Sequence, residues 1–193
     1  MSVIRAFVAI ELSEEIQSQL EEIIAELKRR LGDVPVRWVP VKNIHLTLKF
    51  LGDVSVANID MLKEILKALA SNHSKFSISV GGIGSYPKPQ QPRVIWVGVE
   101  APPELISVQR NIETEAARLG YAREHRAFSP HLTLGRVSRS ASAKEVRAIA
   151  EVLEGYKLGF IGVTRVNEIH LFRSDLLPSG AVYQRLYSAT FGA

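Results

Sequence analysis

IHLTLKFLG (44–52) sets a histidine and a threonine, His45 and Thr47, two positions apart in a run of large apolar residues. PHLTLGR (130–136) repeats the pattern with His131 and Thr133. Along a strand, residues i and i+2 leave on one face and i+1 on the other. His45 and Thr47 then share one face, and Ile44, Leu46, Leu48 and Phe50 turn to the core. Likewise His131 and Thr133 point away from Leu132 and Leu134. A polar pair on the non-core side of two strands asks for a common cause.

The flanking sequence supplies one. Each His-x-Thr strand sits at the same place in the order strand, helix, His-x-Thr strand, helix, strand. Arg5 and Arg93 open matching strands 88 positions apart, and Gly32 and Gly120 end matching helices at the same offset. His45 and His131 are 86 apart, and Ser55 and Ser142 are 87 apart. Such regularity over a long period marks an internal duplication. The four helices read as 13–32, 55–70, 102–120 and 142–155. Ser13 and the Ser142/Glu145 capping box signal two of the starts. The strand-like runs are RAFVAIEL (5–12), FSISV (76–80), RVIWVGVE (93–100), FIGVTRV (160–166) and EIHLF (168–172). The expected fold is α+β, a bilobal duplicated βαβαβ unit. The 193 residues form a single bilobal domain with pseudo-repeats about 1–84 and 92–193, joined by the loop GGIGSYPKPQQP (81–92).

If the two polar faces oppose each other, the cleft between the lobes holds two imidazoles and two hydroxyls. Histidine exchanges protons near neutral pH, so one ring can accept a proton while the other donates. Threonine hydroxyls donate to anionic oxygens without adding charge. Attack on a phosphodiester needs those three services, with attacker and leaving oxygen in line on opposite sides of phosphorus.

Competing chemistries are thinly represented. There is no cysteine, which removes disulfides, thiolate nucleophiles and Cys-based zinc sites. No P-loop, G-x-S-x-G elbow or H-E-x-x-H occurs. A metal held by the two histidines would want further ligands, and neither motif contains a carboxylate. The net charge of +4 suits a polyanion such as RNA. The N-terminal run lacks the marks of a secretory signal, and no apolar stretch could span a bilayer, so a cytoplasmic protein away from membranes is expected.

The paired His-x-Thr motifs resemble those of the 2H phosphoesterase superfamily. HLTLKFLG, PRVIWVG, FSPHLTLGR and LFRSDLLPSGAVY resemble its RNA 2',3'-cyclic phosphodiesterase branch, also called 2'-5' RNA ligases. That resemblance implies two mainly antiparallel sheets facing a central cleft with helices outside. It implies metal-independent hydrolysis of RNA-terminal 2',3'-cyclic phosphates to 2'-phosphates, and a reversible ATP-independent 2'-5' ligation. It makes His45 the proton donor and His131 the acceptor, roles that the residues alone leave unordered. It needs no cofactor. The partner is RNA with a 2',3'-cyclic phosphate end, tRNA fragments among the candidates, bound by a monomer.

The resemblance also brings in Arg136 as a phosphate contact. Strict alternation would send Arg136 to the core, unless Gly135 bulges the strand. Phe50 stands at the same offset in the first motif, as a core residue or as a platform for a base. Lys49 shares the His45 face by alternation and could attract phosphate, or be a solvated charge. Trp96 reads as core, with a platform for a base as the alternative, His170 as structural, His73 as exposed, His125 as exposed or touching the RNA backbone, and Tyr86, Tyr183 and Tyr187 stay open. A non-catalytic module that binds RNA ends or nucleotides would need only the threonine, arginine and other basic contacts.

Overall fold

Local signals place the helices. In the computed structural model, which describes residues 2–178 and 180–192, Ser13 Oγ accepts from Ile16 N–H at 3.4 Å and starts α1 (Glu14–Leu31). α2 (Ile59–Ser71) begins later than Ser55, because Val56–Asn58 first form a 3-10 turn and the Ser55 side chain makes no capping bond. α3 (Pro103–Arg118) has proline in its first turn, where no backbone donor is lost. α4 (Ala143–Gly155) has the full Ser142/Glu145 capping box.

The strands are β1 (Val3–Ile10), β2 (Val36–Trp38), β3 (Leu46–Ser55), β4 (Phe76–Lys88), β5 (Gln91–Val99), β6 (His131–Val137), β7 (Phe160–Val166), β8 (Glu168–Leu177) and β9 (Gly180–Thr190). They form two antiparallel sheets, ordered β3-β1-β8-β9 and β2-β6-β5-β4-β7. The duplicated α+β plan is therefore present.

The segment 81–92 is a correction to the sequence reading. It is not a loop: β4 continues to Lys88 and β5 begins at Gln91, so the two strands make one long hairpin. Its glycines serve close approach. A Cβ on Gly84 would lie 2.3 Å from the Trp96 ring, and one on Gly98 would lie 2.8 Å from the Gly81 carbonyl.

Sheets and repeats do not coincide. β4, from the first repeat, joins the second sheet beside β5, and β8 and β9, from the second repeat, complete the first sheet beside β1. The helices cross over too. α1 packs on β7 and α4, with Ser13 N–H donating to Thr164 Oγ1 at 3.3 Å, while α3 packs on β3. One continuous apolar core results, joining Leu46 and Leu48 of one motif with Leu132 and Leu134 of the other. Burying this many side chains at about 25 cal/mol per Å² of apolar surface is the main driving term for the fold. A second, smaller cluster of Phe7, Ala9 and Phe172, with Tyr183 against it, lies apart from that core on the other face of the first sheet.

Candidate active site

The chain leads straight from one motif strand to the other. β2 pairs with β6, setting Arg37 opposite Arg136 and Trp38 opposite Gly135. Val39 N–H then donates to the Leu134 carbonyl at 2.8 Å. Through Pro40 and the 3-10 turn Val41–Asn43 the chain arrives at His45. The strand entering the first motif is thus hydrogen-bonded to the strand of the second, and β3 and β6 come into contact.

Both imidazoles are held in the same way. His45 Nδ1–H donates to the Asn43 carbonyl at 2.9 Å, and His131 Nδ1–H donates to the Ser129 carbonyl at 2.8 Å. A carbonyl can only accept, so each bond selects the Nδ1–H tautomer and leaves the Nε2 lone pair free of that bond. The rings rest on aromatic neighbours. His45 stacks on Phe7 at 4.7 Å and meets the edge of Tyr183 at 5.2 Å. His131 meets the edge of Tyr86 at 5.1 Å and lies 6.3 Å from Trp96. The Tyr86 hydroxyl is tied to Ser129 Oγ at 2.8 Å, next to the carbonyl that holds His131.

Burial pushes the His45 pKa down to about 4, opposed by its Asn43 bond and by the nearby Glu11 carboxylate. Glu11 is ion-paired to Arg185, and both line a pocket of about 350 Å³ with Lys42, Asn43, His45 and Tyr183. His170, 4% exposed, bonds Ser188 Oγ at 2.9 Å, and burial lowers its pKa as well. Burial raises the Tyr183 pKa, while Arg136 and Arg37 pull it back.

The decisive local feature is a bulge shared by both motif strands. Thr47 pairs with Ala9 and Lys49 with Val8, so Leu48 is an extra residue. Thr133 pairs with Trp96 and Gly135 with Ile95, so Leu134 is extra at the equivalent position. A bulge puts two residues opposite one and resets the alternation after it. His45 and Thr47 lie on the same face as Phe50, and His131 and Thr133 on the same face as Arg136. Gly135 takes part because a Cβ there would meet Val36 at 2.9 Å and Trp38 at 3.1 Å.

Two readings of the first motif are corrected by this slip. Lys49 does not share the His45 face. It is 5% exposed, its ammonium is bonded to Glu113 of α3 at 2.8 Å and to the Ala122 carbonyl at 2.6 Å, and it cannot serve a phosphate in the cleft. Phe50 is not core. It is 69% exposed and lies 5.9 Å from Phe7 on the cleft side. For Trp96 the core alternative is corrected as well. It pairs with Thr133 and tilts over Tyr86 at 5.2 Å, forming cleft wall instead of core.

The sequence reading missed Phe7, Glu11 and Arg37, and left Tyr86 and Tyr183 open. Phe7 lies in a run whose facing depends on register, which the pairing with β3 and β8 reveals, and Glu11 is placed only by its ion pair with Arg185 of β9. His125 stays exposed, and His73 bonds Leu69 and Ser107 between α2 and α3. Among the described residues no group of three or more His, Asp or Glu is arranged to hold a metal ion, and no helix is long and apolar enough to cross a membrane.

A duplicated α+β frame that offers one proton-exchanging imidazole from each copy has the design of a two-histidine phosphoesterase. Comparison with known proteins places it further. The family model described as LigT like Phosphoesterase matches twice, over residues 10–96 and 97–183. The chain belongs to this LigT-like phosphoesterase family. It is 33% identical over 180 residues to the RNA 2',3'-cyclic phosphodiesterase of Methanothermobacter thermautotrophicus, covering 93% of this chain and 95% of that one. It is 34% identical over 188 residues to the protein of the same name from Thermotoga maritima, covering 97% and 95%. The crystal structure of Escherichia coli LigT complexed with 3'-AMP superposes with a TM-score of 0.79 at 26% identity, covering both chains fully.

Proposed function

We propose that this protein hydrolyses the 2',3'-cyclic phosphate at an RNA end to a 2'-phosphate, without a metal. The observation that carries this reading is the matched fixing of His45 and His131, each bonded through Nδ1 to the carbonyl two residues earlier, with Nε2 left to exchange a proton. His131 takes a proton from water as the water attacks phosphorus. His45 gives a proton to the departing 3'-oxygen, so the phosphate stays on the 2'-oxygen. Thr47, Thr133 and Arg136 hold the non-bridging oxygens, and Phe50 offers an exposed face to the base. Run in reverse, with a 5'-hydroxyl in place of water, the same groups make a 2'-5' linkage without ATP. His45, driven neutral by its burial, regains its proton as the anionic phosphate arrives, since a neighbouring negative charge favours imidazolium.

Each sheet holds strands from both repeats, which supports reading the 193 residues as one bilobal functional unit with pseudo-repeats at 1–84 and 92–193. The net charge of +4 suits RNA and the absence of cysteine suits a reducing cytoplasm, where the proposed enzyme acts as a monomer with tRNA fragments among the candidate substrates.

The test is an oligonucleotide ending in a 2',3'-cyclic phosphate, incubated with EDTA, with the product phosphate mapped. The expected product is a 2'-phosphate. His45→Ala and His131→Ala each lower kcat by about 10²-fold or more, the contribution of a general acid or base. Normal turnover in either variant refutes the assignment. Tight binding of the end with no hydrolysis by the unaltered protein selects the non-catalytic module instead.

A further inference from the structure

We infer that Arg37, set opposite Arg136, is an anion subsite beyond the reacting phosphate, which takes the adjacent internucleotide phosphate of the RNA strand. This rests on the proposed action on RNA ends and adds a residue, Arg37, that reads the polymer next to the reacting phosphate. Arg37 and Arg136 are direct cross-strand partners on β2 and β6. Directly opposed residues of an antiparallel pair lie on the same face, with Cα atoms about 4.5–5.5 Å apart. Val36 and Trp38 close over Gly135 on the core side, which leaves Arg37 on the cleft side with Arg136.

Two like charges set opposite each other destabilise a sheet. Both side chains are exposed, and among the described residues neither is hydrogen-bonded or ion-paired to a carboxylate. By contrast Arg185, which lines the same pocket as Tyr183, is neutralised by Glu11. Both guanidinium groups also bear on the Tyr183 phenol, which touches His45. An exposed arginine pair without a carboxylate partner, on the same strand face as His131 and Thr133, is therefore positioned for anions, and a fork of N–H donors suits a phosphate. Arg136, three residues after Thr133, reaches toward the reacting phosphate. Arg37, one strand further out, is one step along the nucleic-acid backbone.

The experiment measures equilibrium binding, so it does not depend on turnover. Two probes are used: a short oligonucleotide ending in a 2'-phosphate, and a nucleoside 2'-monophosphate. Arg37→Gln is expected to weaken oligonucleotide binding about tenfold, the loss of one charge-assisted contact. That penalty should be at least fivefold larger than the penalty on the mononucleotide. The slope of log Kd against log salt for the oligonucleotide should fall by about 0.7, the release expected for one phosphate contact on a single strand. Arg37→Lys should restore the slope. Equal penalties on the two probes, or an unchanged salt slope, overturn the subsite. A lower Tm for Arg37→Gln also overturns it, because relieving a like-charge pair should leave the melt equal or higher. Failure of the unaltered protein to hydrolyse any cyclic phosphate would instead refute the proposed reaction, and these binding comparisons would still decide Arg37.

Discussion

Glu113→Ala tests the unexpected position of Lys49. Lys49 is 5% exposed, and its ammonium has two partners, Glu113 at 2.8 Å and the Ala122 carbonyl at 2.6 Å. Removing Glu113 leaves a buried charge with one neutral acceptor. Breaking a buried ion pair from one side costs about 3–5 kcal/mol. For a protein of this size each kcal/mol moves Tm by about 2–4 °C, so a fall of roughly 6–20 °C is expected. Lys49→Met removes the charge and keeps the length of the side chain. Glu113 then retains the Glu124 N–H at 3.3 Å and 13% side-chain exposure. The expected loss for that variant is about 1 kcal/mol, because a partly solvated carboxylate is cheaper to orphan than a buried ammonium. Turnover of a cyclic phosphate should stay within about twofold of the parent, since Lys49 touches no part of the cleft. Thermal melts and steady-state rates on the same preparations give both numbers. A tenfold loss of kcat in Lys49→Met at unchanged Tm would put the ammonium in the active site and refute the bulged register.

Three further outcomes follow from the cleft. With the folded pKa of His45 near 4 and the unfolded value near 6.5, the unfolded chain binds that proton first on acidification. Stability contributed by neutral His45 is therefore full above pH 6.5 and falls as pH drops toward 4, by about 3 kcal/mol; denaturant titrations at pH 7 and 4.5 should show a smaller difference for His45→Phe than for the parent. Phe50→Ala, at a largely exposed position, should change stability by less than about 0.5 kcal/mol, yet weaken binding of a base-bearing end by the roughly 1–3 kcal/mol of a lost stacking contact, with Phe50→Trp retaining it. Gly84→Ala places a Cβ 2.3 Å from the Trp96 ring, so Trp96 must move; a loss of about 1–3 kcal/mol, altered fluorescence and reduced turnover should appear together, and an unperturbed spectrum would contradict the close approach.

Much of this was legible in the chain. The helices carry their own starts and apolar faces, and the duplication shows as constant offsets between Arg5 and Arg93 and between Gly32 and Gly120. His45, Thr47, His131 and Thr133 could be placed together because they precede any irregularity in their strands. Beyond Thr47 and Thr133 the reading depends on register. Alternation sends Lys49 outward and Phe50 inward, and one extra residue at Leu48 reverses both. Gly135 hinted at such a slip in β6, whereas nothing so permissive marks it in β3. The glycines of 81–92 suggested a loop because a sequence does not distinguish a glycine that bends the chain from one that admits the Trp96 ring.

By itself the sequence determined the α+β duplication, the four helices and the two histidine–threonine pairs, because periodicity, capping and repetition act between near neighbours. The tertiary structure alone decided that β4 and β8 change sheets, that Lys49 is interior, that Phe50 and Trp96 line the cleft, and that Arg37 stands opposite Arg136. Those facts come from pairing between strands distant in the chain, where one residue of slip exchanges the two faces of a strand.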